Sequence, residues 1–179
     1  MPTTKTSKST APSEEQQLAA LIAKVDPSAQ KLLLSLRREV RKMFPTLNEL
    51  VYNYPWALVL SYSPINSGAD AIVAISAEAD GIRFVFGRGA SLPDPKKILM
   101  GKAGQIRFIR PESAKDLSKP EVDALIKAAI KAAKIPVPKS GKGMMIIKSS
   151  KSKTKNTPAK KKKATAPVKK EKAPAKKKK

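Results

Sequence analysis

WALVLSYSPINSGADAIVAISAEADGIRFVF, residues 56–86, decides the fold. Trp56, Leu58, Leu60 and Tyr62 alternate with Ala57, Val59 and Ser61, the period of two that sends successive side chains to opposite faces of a strand. Ser63-Pro64-Ile65-Asn66-Ser67-Gly68 is turn chemistry. Residues 71–77 form a second strand, apolar on both faces and therefore central. Asp80-Gly81 supplies a hairpin turn, and Ile82, Phe84 and Phe86 then share one face of a third strand, with Arg83 and Val85 on the other.

Working outward, the loop GRGASLPDP (87–95) leads to a short helical segment near residues 96–100 and a fourth strand at 105–109. Ser118 and Glu121 have capping-box spacing, with Pro120 in the first turn. Val122, Leu125, Ile126, Ala129, Ile130 and Ala133 make the apolar stripe of a helix that Pro136 ends. Residues 144–147 read as a short edge strand. Upstream, Ser13 and Gln16 form a capping box before Leu18, Leu21, Ile22 and Val25. Asp26-Pro27 starts a second helix, in which Leu32, Leu33, Leu36, Val40, Met43 and Phe44 recur at helical steps and Arg37, Arg38, Arg41 and Lys42 fill the other side. Residues 46–51 read as a helical turn.

The predicted fold is α+β: an antiparallel sheet of about four to five strands with N- and C-terminal helices packed on it, plus a basic tail. The expected divisions are a disordered N-terminus at 1–12, the α+β domain at 13–135, an extension at 136–149 and a disordered Lys/Ala/Pro tail at 150–179.

Charge is unevenly spread. Of the chain's 37 basic residues, 17 fall in the last 44 positions beside one acid, Glu171. PAKKKK occurs at 158–163 and again at 174–179. Such a segment buries too little apolar surface to offset the entropy of ordering, so it reads as a disordered polycation. Residues 12–135 carry 18 basic and 13 acidic side chains, a mildly basic domain with enough chain for one core.

The chain has no cysteine and no histidine. Disulfides, Cys/His zinc sites, thiol nucleophiles and the usual near-neutral general base are thereby removed. The expectation is a protein that is not an enzyme. Residues 1–13 lack the apolar segment of a signal peptide, and no stretch approaches the length of a membrane span. The expected setting is the cytoplasm, at the nucleoid if the tail meets DNA.

FPTLNELVYNYP (44–55), DGIRFVFGRGASLPDPKKILMGKAGQIRFI (80–109) and EVDALIKAAI (121–130), in this order and spacing, resemble the YdhG-like family, a domain of unknown function. GKGMMIIKS (141–149) looks like a C-terminal extension seen in part of that family. The resemblance implies an α+β fold with an antiparallel sheet and little about activity. One branch is reported as a frataxin-like iron chaperone, which would make iron the cargo. That role calls for an acidic surface, whereas this domain is net basic.

Four constellations are candidates for function. In the tail, Lys151, Lys153, Lys155, Lys160, Lys161, Lys162, Lys163, Lys169, Lys170, Lys172, Lys176, Lys177, Lys178 and Lys179 form a non-specific nucleic-acid contact, resembling the tails of linker histones and of lysine-rich bacterial nucleoid proteins. The tail has no arginine, so bidentate reading of guanine is not available there. A merely solvated tail, or an acidic partner of another kind, is the alternative. The glycine loops Gly87-Arg88-Gly89 and Gly101-Lys102-Ala103-Gly104, with Arg107, suit a small anion or serve as ordinary turns. Glu49 with Tyr52, Tyr54 and Trp56 lines a ligand pocket, or forms a buried pair with Arg107 that anchors a turn. The acidic residues do not have calcium-loop spacing, and no cofactor is expected. The favoured reading is a YdhG-like binding protein held on nucleic acid by its tail. An iron chaperone and a small-anion or ligand-binding domain are the alternatives.

Overall fold

A computed structural model describes residues 12–102 and 104–148. The tail lysines named above, the expected disorder of residues 1–11 and the 149–179 segment lie outside the described residues. Helix α1 (Glu14–Ile22) starts on the expected capping box: Gln16 N donates to Ser13 Oγ at 3.2 Å, and Ser13 N donates to Gln16 Oε1 at 2.8 Å. Helix α2 (Pro27–Met43) starts on Asp26, whose carboxylate accepts from Ser28 N at 2.8 Å. The strands are β1 (Asn48–Tyr54), β2 (Ala57–Ser63), β3 (Val73–Glu78), β4 (Gly81–Phe86), β5 (Arg107–Ile109) and β6 (Met145–Lys148), with helix α3 (Pro120–Lys131) before β6.

The fold is α+β, with more strands than the sequence suggests: one sheet of six, in the order β5-β4-β3-β2-β1-β6. Strands β1 to β5 form an antiparallel meander, and β6 pairs parallel with β1, so the sheet is mixed. The long connection through α3 brings the chain back to β1 in the same direction, as a parallel neighbour requires. Gly143 admits β6 at this edge. A Cβ on it would lie 1.7 Å from the Leu47 carbonyl oxygen, and its N–H donates to Pro45 O at 2.9 Å.

Three local expectations are corrected. Residues 46–51 are not a helical turn, because β1 starts at Asn48 and is paired on both sides by β2 and β6. No helix forms at 96–100: the Asp94 carboxylate accepts from Ile98 N (3.0 Å) and Leu99 N (2.8 Å), and Lys97 N donates to Asp94 O at 3.1 Å, holding a turn from which the chain runs to Met100 and its bridge to Phe108. Ser118 does not cap α3. The N-cap is Lys119 without a side-chain bond, and the capping box belongs to Ser113 and Asp116 of the preceding 3-10 turn.

The core lies on one face of the sheet. Leu33, Leu36 and Val40 of α2 and Val122, Leu125 and Ile126 of α3 join Val51, Leu60, Ile75, Phe84 and Phe86 in a single apolar cluster. The opposite face carries Tyr52, Tyr54, Val59, Ser76, Val85 and Phe108, none of which belongs to that cluster.

Candidate functional site

Strand β1 carries the two clusters with functional potential, one on each face, because alternate residues point in opposite directions. On the helix-covered face Glu49 is fully buried. Its Oε1 accepts from Arg37 Nε (2.9 Å) and Tyr62 Oη (2.9 Å), and its Oε2 from Arg37 Nη2 (2.8 Å) and Arg41 Nη1 (2.7 Å). Arg37 also reaches Glu15 at 3.0 Å. Burial pushes the Glu49 carboxyl up, but the hydrogen bonds and charge of Arg37, the Tyr62 hydroxyl and the charge of Arg41 outweigh it and hold the group below its ordinary range. Burial and the neighbouring Glu49 charge push the Tyr62 phenol well above its usual value. Glu49 is therefore an acceptor with its lone pairs occupied and Tyr62 a fixed donor, an arrangement suited to holding α2 on the sheet and not to moving a proton.

Arg107 is not the partner of Glu49. Strands β1 and β5 are four places apart in the sheet, roughly 19 Å at the usual strand spacing. The buried pair is Glu49 with Arg37 and Arg41, both on α2.

On the other face of β1, Tyr52, Tyr54 and Trp56 form a stacked column. The Tyr52 and Tyr54 rings lie 5.7 Å apart at 2°, and Tyr54 and Trp56 5.2 Å apart at 5°. Gly68 backs onto Tyr52, since a Cβ there would come within 2.5 Å of the Tyr52 hydroxyl oxygen. The far end opens to solvent, and Trp56, in the two-residue turn between β1 and β2, is 62% exposed. Glu49 and the aromatic residues that follow it therefore do not line one pocket.

The glycine loops lie elsewhere. Arg88 donates from Nη1 to Ala132 O at 3.3 Å, placing a cation at the C-terminal end of α3, where the helix dipole favours it. It borders a cavity of about 80 Å³ that also meets Asp70, Gln105 and Lys134. Gly89 is fixed by packing: a Cβ would come 2.4 Å from Arg107 Cβ. Arg107 turns back on its own loop, donating to Gly104 O (3.1 Å) and Ile106 O (2.7 Å). Lys102 is exposed in the next loop. Arg83 and Arg107 lie on opposite faces, since Arg107 stands opposite Phe86 in the β4–β5 register. Arg83 sits over the Phe108 ring at 4.7 Å and pairs with Glu78 and Asp80.

Among the described residues no group of three or more acidic side chains is placed to hold a metal ion, and no helix is long and apolar enough to cross a membrane. Comparison of the chain with protein-family models, with curated proteins and with solved structures yields no match.

The stacked column is the feature that sequence reasoning only half found. Tyr52 and Tyr54 align because they sit at i and i+2 on β1, whereas Trp56 joins them from the turn and not from the strand face of Leu58, Leu60 and Tyr62 to which the alternation assigns it. Reading the preceding residues as a helical turn hid that alignment.

Proposed function

We propose that this chain is a non-enzymatic binding protein, a YdhG-like domain held on nucleic acid through its lysine-rich C-terminal segment. One observation carries the reading. After Lys148 the sequence places 14 lysines against a single acid, Glu171, whereas residues 12–135 nearly balance their charges with 18 basic and 13 acidic side chains. Charge in that pattern neutralises phosphates without selecting a sequence, and it releases counterions in proportion to the phosphates engaged. The absence of arginine from the segment fits backbone contact and not base reading. The domain's own buried ionisable cluster is saturated by internal partners, which supports a scaffold and not a catalyst.

The position of β6 sets where the segment should be removed. Cutting after Pro136 would take away a strand of the sheet, so the informative truncation keeps residues 1–148. A mobility-shift comparison of the full chain with this truncation on duplex DNA tests the proposal. Binding by the full chain alone is expected; equal binding by both would sink it.

A further inference from the structure

The aromatic column on β1 has the build of a stacking platform. Its three rings are parallel and already in contact, so a base cannot slide between them without separating them. At one end Gly68 closes the column; at the other the Trp56 ring faces solvent. An exposed indole stacked on Tyr54, which in turn stacks on Tyr52, offers a flat π-surface, and any nucleobase presents a π-face to it.

The point at which the lysine-rich segment joins the domain identifies the occupant. Lys148 stands opposite Tyr52 in the parallel β1–β6 register, so the 14 lysines that follow it join the domain beside the column. Beyond Trp56 a cleft of about 560 Å³ is lined by Lys24, Asn53, Tyr54 and Trp56 with two carboxylates, Asp26 and Glu78. Both carboxylates are engaged, Asp26 in capping α2 and Glu78 with Arg83 at 3.0 Å. The Asp26 carboxylate is bonded to the neutral groups of Ser28 and keeps its charge beside Lys24, so the charge that meets phosphate comes from the lysines after Lys148 and not from the cleft.

We infer that Trp56, braced by Tyr54 and Tyr52, stacks on an unpaired base of single-stranded nucleic acid while the lysines joined at Lys148 neutralise its phosphates. A duplex keeps its bases stacked inside and offers this surface only phosphates, so the platform makes the protein prefer single strands. This rests on the nucleic-acid reading above and extends it to a binding site on the folded domain.

Trp56 is the single tryptophan of the chain, so its fluorescence reports the site directly. The full-length protein is titrated with oligo(dT) of about 20 nucleotides, a length that exceeds common single-strand site sizes, and with a duplex of equal length, following both tryptophan emission and the anisotropy of labelled DNA. Expected are strong quenching by the single strand, little by the duplex, and a loss of roughly 5- to 100-fold in single-strand affinity for Trp56→Ala with duplex affinity unchanged. Anisotropy that rises for both nucleic acids without quenching overturns the stacking inference and leaves the lysine tether standing. No rise for either overturns both. Quenching in the wild-type protein does not depend on the variant, so a misfolded Trp56→Ala does not remove the test. Tyr54→Ala, which takes away the support under Trp56, is expected to reduce both quenching and single-strand affinity; an unchanged response would also contradict the inference.

Discussion

Arg37 meets Glu49 side-on, its Nε and Nη2 placed 2.9 and 2.8 Å from the two carboxylate oxygens. The pair joins α2 to a strand buried between two neighbours, and Glu49 has no exposed surface. Arg41 and Tyr62 complete the acceptor positions. The geometry fixes both the rotation of α2 about its axis and its height over the sheet, because a planar fork on a planar carboxylate tolerates little displacement.

Removing the carboxylate leaves two guanidinium groups without their shared counter-charge. Glu49→Ala is expected to cost about 3–5 kcal/mol, the usual range for breaking a buried pair from one side. Tyr62→Phe, which keeps the ring and removes one bond to a charged acceptor, is expected to cost about 1.5–3 kcal/mol. Urea denaturation of both variants and of the double variant measures these values. Costs that simply add would contradict a single coupled cluster.

Stability should fall with acid in a window set by this group. The Glu49 carboxyl lies below its ordinary 4.5 in the folded protein, so its contribution is fully present above about that pH and is lost as pH drops through the lowered folded value. Asp80 and Asp116 are also lowered, by hydrogen bonds from Arg110 and Arg83 and from Lys119 and Ser113 respectively, so they too favour the folded state less as the pH falls. Glu49→Gln isolates the buried group. Its unfolding free energy, plotted against pH, should be flatter below pH 4.5 than that of the wild type, and parallel curves would remove Glu49 from the explanation.

The edge strand depends on Gly143. Alanine there meets the Leu47 carbonyl oxygen, a backbone atom that cannot rotate away, so β6 must withdraw from β1. Gly143→Ala is expected to destabilise by roughly 1–3 kcal/mol. Hydrogen exchange should quicken at Ile146 and Ile147 and stay slow at Ile75 and Phe84 in the sheet centre. Unchanged exchange at β6 would contradict the close approach.

The central hairpins and the long helices were legible because each follows one period. The alternation through Leu58, Leu60 and Tyr62 and the three- and four-residue steps through Leu33, Leu36 and Val40 both match the observed faces. Strand β1 was not legible. With Leu47, Leu50 and Val51 all buried, its apolar spacing mimics a helical step, and burial on both faces erases alternation. The β1–β6 pairing joins residues 96 positions apart, and no local signal carries such a contact. Arg37 looked like part of a solvated basic face. It sits four residues after Leu33 and three before Val40, on the flank of the apolar stripe, and that spacing was the available hint that it turns inward.

The tether itself is tested most directly by duplex DNA affinity measured between about 50 and 200 mM salt, for the full chain and for residues 1–148. With about 8 lysines engaged, the full chain should show a log–log slope near −7, and the truncated protein should bind at least about 100-fold more weakly at low salt with a shallow slope. Superimposable affinities and slopes for the two proteins would contradict it.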